Sequence, residues 1–242
     1  MSSVMRALET RPFAVVGHRG APAYEPENTV ASFEKALQLG ADLIECDIRL
    51  TRDGTPVVFH DEDLSRLVGI GARIADLTEH ELRSYRVRGQ PVPTLEELLG
   101  RLAGRAGVLA ELKTLEAVES SLEVIKRLGA EKWTALISFA PEALERARIL
   151  APSIPRGLIY AKPLEAVRVC RAVGCEILLP RYNLVSPRMV SFAKKMRLKV
   201  VAWTVNSAEL ALKLYDAGVD GMATDDPALL VGVKSRLLTS SR

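Results

Sequence analysis

Eight short apolar runs that alternate with helical patterns, plus one run joined too tightly to its neighbour to lie parallel, predict an α/β protein. The arrangement expected is a TIM (β/α)8 barrel with an extra antiparallel hairpin arm after the second strand. The runs are FAVVG (13–17), DLIECDI (42–48), PVVFH (56–60), GVLAEL (107–112), TALISF (134–139), RGLIY (156–160), CEILLP (175–180), LKVVAW (198–203) and DGMAT (220–224). That is one run more than a barrel needs. PVVFH follows DLIECDIRL after only TRDGT, whose Asp-Gly marks a tight turn, whereas parallel neighbours require a crossover of about a dozen residues. PVVFH is therefore the arm. Pairing about Asp53-Gly54 sets Arg52 against Thr55 and Asp47 against His60.

Helical patterns fill the intervals: TVASFEKALQLG, TLEELLGRLAG, EAVESSLEVIKRLG, PEALERARILA, PLEAVRVCRAVG, SPRMVSFAKKM and SAELALKLYDAG. Most follow Thr, Ser or Pro, and several stop at Gly40, Gly129, Gly174 or Gly218, as capped helices do. Residues 61–93 make a longer polar excursion, arginine-rich in SYRVRG, expected as a loop with one short helix over the barrel mouth. No linker divides the chain, so residues 1–242 are read as a single domain.

Composition narrows the classes of partner. Apolar residues make up 48% and charged residues 26%, the balance of an ordinary globular protein. The net charge of +3 and the even spread of 33 basic residues give no stripe for nucleic acid. No apolar run approaches the ~20 residues of a membrane span. Arg6, Glu9, Arg11 and Pro12 interrupt the N-terminal stretch, which lacks a signal-peptide core. No nucleic-acid partner and no stable membrane insertion are expected. Cys46, Cys170 and Cys175 are odd in number and lack metal-site spacing, so they read as reduced packing thiols in a cytoplasmic protein.

On a barrel of this kind chemistry sits at the C-terminal ends of the strands. The polar residues there are His18 and Arg19, Glu45 and Asp47, His60 and Asp61 on the arm, Glu111 and Lys113, Trp203 and Asn206, and Asp225. Glu45 and Asp47 leave one face of their strand while Cys46 leaves the other, and Glu111 with Lys113 repeats the spacing. Three carboxylates converging on a barrel mouth repel one another unless a cation lies between them. With oxygen ligands only, the expected cofactor is a hard divalent ion, Mg²⁺ or Ca²⁺, held by Glu45, Asp47 and Glu111. Arg19 and Lys113 add positive charge suited to a phosphate. His18 and His60 can serve as general base and general acid near neutrality, the two roles phosphodiester cleavage needs.

Plainer readings stand beside these. Glu45 and Asp47 could pair with Arg49 and Arg52 at the rim, and Glu111 could pair only with Lys113. Burial of the carboxylates favours the cation. Trp203 is either core or an aromatic wall of the pocket. Asn206 could cap the helix that follows it, and Asp225, in TDDP, is expected to cap the last helix. Pro26 and its neighbours, with Glu27-Asn28-Thr29, are expected to fix the first loop and cap the first helix. His80 and SYRVRG read as solvated surface.

The block GHRGAPAYEPENTVASFEKALQLGADLIECDIRLTRDGTPVVFHD, together with VVAWTVN and GVDGMATDDP, resembles the glycerophosphodiester phosphodiesterase family over almost the whole chain. The resemblance implies a metal-dependent TIM-barrel enzyme that hydrolyses glycerophosphodiesters to glycerol 3-phosphate and an alcohol. It matches His18 and His60 to the catalytic histidines, Glu45, Asp47 and Glu111 to the metal ligands, and Arg19 and Lys113 to the phosphate contacts. It also places Trp203 beside the substrate. Two departures concern the excursion: it is compact where members often carry a larger insertion, and SRLVG lacks the threonine usual after the His-Asp pair. The nearest rival activity is lysophospholipase D-type hydrolysis, or cyclic-phosphate formation on lysophospholipids. Further alternatives are a Schiff-base aldolase using Lys113 and an idle barrel that only binds phosphorylated ligands.

Overall fold

The computed structural model describes residues 2–162 and 165–240. Eight parallel strands form its centre: β1 (Ala14–His18), β2 (Leu43–Leu50), β3 (Gly107–Leu112), β4 (Thr134–Ser138), β5 (Arg156–Tyr160), β6 (Ile177–Pro180), β7 (Lys199–Ala202) and β8 (Gly221–Thr224). Each pairs with its sequence neighbour, and β1 pairs with β8 as well as β2, which closes the barrel. The outer helices are Val30–Gln38, Leu95–Leu102, Ala117–Arg127, Pro141–Leu150, Ala166–Ala172, Pro187–Lys195, Ala208–Ala217 and Pro227–Ser240. The predicted helix beginning at residue 163 is seen from Ala166, since Pro163 and Leu164 lie outside the described residues. Its neighbours start and stop where capping chemistry places them. Ser207 accepts from Leu210 N at one end of Ala208–Ala217, and Gly218 ends it with φ 86°, a conformation that costs glycine little.

Side-chain alternation divides the strands into two faces. Val16, Leu43, Leu109, Ile137, Ile159, Leu179 and Val201 fill the barrel interior. Ile44, Cys46, Ile48 and Val108 turn outward and pack under Phe33, Leu98 and Leu99 of the helices. The period-two pattern thus sends Cys46 away from the mouth, as expected.

The floor of the barrel was not legible in the sequence. A one-turn helix, Ser3–Ala7, lies beneath the strands, and this N-terminal segment contributes Val4 and Leu8, both fully buried, to the interior cluster. Glycines at the start of two strands admit it. A Cβ on Gly107 would lie 2.9 Å from Val4 Cγ2, and one on Gly221 would lie 3.1 Å from Leu8 Cδ2.

The arm is present, but its register differs by one residue from the expected one. Pro56–Val58 runs antiparallel to β2 with Ile48 opposite Val58 and Leu50 opposite Pro56. Arg52, Asp53 and Gly54 form a three-residue loop in which Gly54 takes φ 78°, and Thr51 Oγ1 bonds Asp53 Oδ1. Asp47 therefore faces Phe59, whose N–H donates to the Asp47 carbonyl at 2.9 Å. His60 follows directly on that bond and lines the mouth.

Residues 61–93 are more ordered than a loop with one helix. They contain the helical turns Ser65–Val68, Ile74–Asp76 and Glu79–Leu82 and a two-stranded ribbon, Arg86–Val87 with Gln90–Pro91. Leu64, Ile74, Leu82, Val87 and Val92 close over Val57 and Phe59 of the arm as a small core of their own. The arm is the element this excursion packs on. His80 is exposed, as expected.

The N-terminal plug supplies a test of the barrel floor. Leu8→Ala removes a fully buried side chain where the closed ring leaves little room to collapse. It should cost about 2–5 kcal/mol of unfolding free energy in urea titrations.

Candidate active site

Three carboxylates meet at the mouth because neighbouring parallel strands are in register. His18 pairs beside Glu45 across β1 and β2, and Asp47 pairs beside Glu111 across β2 and β3. Oxygens of Glu45, Asp47 and Glu111 all lie within 4.8 Å of one another, and the residues are only 5%, 1% and 8% exposed. Such a cluster is costly without compensating cations.

Asp47 is compensated and the two glutamates are not. Lys113 Nζ lies 2.9 Å from Asp47 Oδ1, and Asn28 Nδ2 donates to Asp47 Oδ2 at 2.7 Å. Burial pushes the Asp47 carboxyl up, but Lys113 and Arg19 overcome it and hold the group below the usual carboxylate range. For Glu45, burial and then the charge of Asp47 raise the pKa to about 7. The same two causes raise Glu111 to about 8, although Lys113 Nζ sits 2.7 Å from its Oε1. The donors are oxygens alone, and two of the three groups lack a full counter-charge. A hard divalent cation fits that set, with Glu45, Asp47 and Glu111 as the residues to hold it.

The first loop is built around Arg19. Gly20 has φ 90°, and a Cβ there would fall 2.4 Å from Ser32 Oγ. That close approach lets Ser32 Oγ donate to Arg19 O at 2.9 Å and accept from Ala21 N at 2.8 Å. Arg19 itself has φ 53°, a left-handed conformation a side chain rarely adopts. Its N–H donates to Glu45 Oε2 at 2.9 Å, so the turn also fixes a carboxylate. Arg19 Nη1 donates to Glu27 Oε1 at 2.9 Å. Arg19 Nε lies 3.2 Å from Asp47 Oδ2 without the direction of a hydrogen bond, and it is a buried donor with no other partner among the described residues. An anionic ligand would satisfy it.

Both histidines are oriented through Nδ1. Asp225 Oδ1 holds His18 Nδ1 at 2.7 Å, and Asn206 Nδ2 donates to Asp225 Oδ2 at 2.6 Å. Asp61 Oδ1 holds His60 Nδ1 at 2.6 Å. Burial pulls the His18 imidazole down, but the Asp225 hydrogen bond and the charge of Glu45 more than offset it, so its pKa is raised. His60 is lowered, first by burial and then by Lys113 and Arg19, against the pull of Asp47.

The opposite half of the pocket is apolar. Leu109, Ile137, Ile159, Leu179 and Trp203 line it, with Phe139 at its edge. The indole Nε1 of Trp203 donates to Leu179 O at 2.7 Å, and the Phe139 ring meets the indole edge-on at 5.7 Å between centroids. Trp203 is thus a wall of the pocket rather than plain core.

Every site residue expected from the sequence, His18, Arg19, Glu45, Asp47, His60, Glu111, Lys113 and Trp203, comes to this one mouth. Several supporting roles differ from expectation. Asp225 orients His18, and its neighbour Asp226 caps the last helix by accepting from Leu229 N at 3.2 Å. Asn206 holds Asp225, while Ser207 does the capping. Of the Glu27-Asn28-Thr29 run, only Thr29 caps the first helix. Asn28 is a positioning group for Asp47, and its φ of 57° suits a residue type tolerant of the left-handed region. Arg49 does not pair with the acidic cluster, since its Nε donates to His60 O at 2.9 Å. Lys113, the lysine of the Schiff-base alternative, is paired with both Asp47 and Glu111. Burial alone would lower its pKa, but Asp47 and Glu111 more than offset it and raise it.

The chain is similar to known proteins over most of its length. The family model described as the glycerophosphoryl diester phosphodiesterase family matches residues 18–229. A glycerophosphodiester phosphodiesterase of Caldanaerobacter subterraneus is 32% identical over 235 residues, covering 90% of this chain and 96% of that one. A phosphodiesterase of Oleispira antarctica, solved in complex with the product sn-glycerol-3-phosphate, superposes with a TM-score of 0.87 at 30% identity, covering 96% of this chain and 99% of that one. A glycerophosphodiester phosphodiesterase from Parabacteroides distasonis gives 0.84 at 27% identity, covering 95% and 98%. With the matched segment running from the first histidine into the last helix, the chain belongs to the glycerophosphoryl diester phosphodiesterase family.

Proposed function

We propose that this enzyme hydrolyses glycerophosphodiesters to glycerol 3-phosphate and an alcohol, with residues 1–242 acting as one catalytic domain. The observation that carries the reading is the pairing of two carboxylate-oriented imidazoles with an acidic triad and a half-satisfied arginine in one pocket. Family membership and the product bound to the Oleispira antarctica relative support it.

Glu45, Asp47 and Glu111 would hold Mg²⁺ or Ca²⁺, which supplies charge to a phosphoryl oxygen when bound. Arg19 and Lys113 bind the remaining phosphate oxygens, and Trp203 closes the pocket on the apolar side. With Nδ1 of each ring bound to a carboxylate, His18 and His60 offer Nε2 for proton transfer. One accepts a proton from the attacking oxygen, either of water directly or of the substrate's own glycerol hydroxyl in a cyclic phosphate that water then opens, and the other donates one to the leaving alcohol. Free buried thiols at Cys46, Cys170 and Cys175 support a cytoplasmic setting. The apolar wall beside Phe139, which is 46% exposed, favours lysophospholipids as the second substrate class. Choline release or cyclic-phosphate formation from lysophosphatidylcholine would mark that activity.

Glycerol 3-phosphate release from glycerophosphocholine should require added Mg²⁺ or Ca²⁺, stop with EDTA, and fall by about 10²–10⁴ in His18→Ala and in His60→Ala. The histidine that protonates the leaving group is identified by repeating the assay with a p-nitrophenyl ester. Its alanine variant should recover most of the lost rate there, and the other should not. Asp225→Ala should lower kcat/KM by about 10–100-fold while leaving the fold intact by circular dichroism.

Ion binding should also be pH-dependent. The pKa values of Glu45 and Glu111 are raised to about 7 and about 8, so protons compete with the cation below those values. Affinity for Mg²⁺ should tighten as the pH rises from about 6 to about 8. Calorimetry at pH 7 in buffers of different ionisation enthalpy should show on the order of one proton released per ion.

A further inference from the structure

The geometry points to Arg66, in the excursion after the arm, as a positioning residue that fixes His60 and Arg19 together through one guanidinium. The inference rests on the proposed phosphodiesterase reaction for its readout.

Arg66 sits in the single helical turn Ser65–Val68 and touches neither the acidic triad nor the apolar wall. Its Nε donates to Asp61 Oδ2 at 2.6 Å, and Asp61 Oδ1 holds His60 Nδ1 at 2.6 Å. Its Nη1 and Nη2 grip Glu27 Oε2 and Oε1 at 2.8 and 2.7 Å, and Glu27 Oε1 holds Arg19 Nη1 at 2.9 Å. One planar cation therefore ends two relays, each a carboxylate that orients a residue at the reacting phosphate. Glu27 and Asp61 have side chains only 14% and 23% exposed, so neither carboxylate is fully solvated without it. The fork shape matters. Three N–H groups in one plane meet oxygens of two carboxylates, which a lysine ammonium on a single flexible stem cannot reproduce with the same directions.

The linkage also gives the compact excursion a task. Its own core of Leu64, Ile74 and Leu82 anchors the turn against Val57 and Phe59 of the arm. Arg66 carries that rigidity to the mouth.

The test is steady-state kinetics of glycerol 3-phosphate release by the full chain, Mg²⁺-loaded. Arg66→Ala should lower kcat/KM by about 10–100-fold, with both a lower kcat through Asp61 and a higher KM through Glu27. Arg66→Lys should recover only part of the loss, and guanidinium chloride at millimolar concentration should partly restore Arg66→Ala. In a Glu27→Gln/Asp61→Asn background, Arg66→Ala should cost less than about threefold further, because its effect passes through those two groups. Wild-type rates in Arg66→Ala would overturn the inference, as would an equal loss in both backgrounds. If Arg66→Ala does not fold, the Lys variant decides: wild-type kinetics there would also overturn it. Failure of the wild-type enzyme to release glycerol 3-phosphate would instead strike the proposed function.

Discussion

The mouth of this barrel is organised by one buried carboxylate, Asp47. It is 1% exposed, and its oxygens meet Lys113 and Asn28 from two different elements, with Arg19 beside them. A lone carboxylate so deeply buried would give up its charge, and this one keeps it only because these partners converge. Each partner is placed by something further out. Lys113 follows two residues after Glu111 on the adjacent strand, so register alone delivers it. Asn28 and Arg19 come from the first loop and arrive only because that loop takes two left-handed residues. Such conformations cost roughly 1–2 kcal/mol each outside glycine. The hydrogen bonds from Arg19 N to Glu45 and from Asn28 to Asp47 offset that cost, so the strained loop and the acidic cluster hold each other in shape.

The glutamates on either side of Asp47 have the opposite character. Their pKa values are raised first by burial and then by the charge of Asp47. A fold selected for stability alone would favour apolar residues at such positions. With Asp47 they form a buried cluster able to hold a divalent cation.

What was legible in the sequence follows from how local each cause is. Strand alternation is a property of neighbours, so spacing alone assigns Glu45 and Asp47 to one face of their strand, and Glu111 and Lys113 to one face of theirs. The count of barrel strands needed only the shortness of TRDGT. The one-residue error in the arm has an equally local reason: Asp-Gly fits both a two-residue turn and a three-residue turn with glycine left-handed, and Gly54 adopts the latter. The partner of His18 is a different case. Asp225 lies 207 residues away and beside a second aspartate with the same capping chemistry. Only closure of β8 against β1 decides which of the two turns inward. Likewise, Ser3–Ala7 is too short to show a helical period, and its apolar residues become meaningful once Gly107 and Gly221 are seen to leave space beneath the barrel.

Charge balance ties the pocket to the proposed cycle. Three carboxylates face Lys113 and Arg19, so with these five groups charged the inner cluster is one charge negative, the histidines left aside. A dication held there would turn that deficit into an excess of one positive charge, suited to a singly negative phosphodiester. Hydrolysis creates a phosphate monoester carrying roughly −1.5 to −2 charges near neutrality. In the proposed cycle the cationic groups that attract the diester face this more negative product as well, so the same charges that favour binding oppose release.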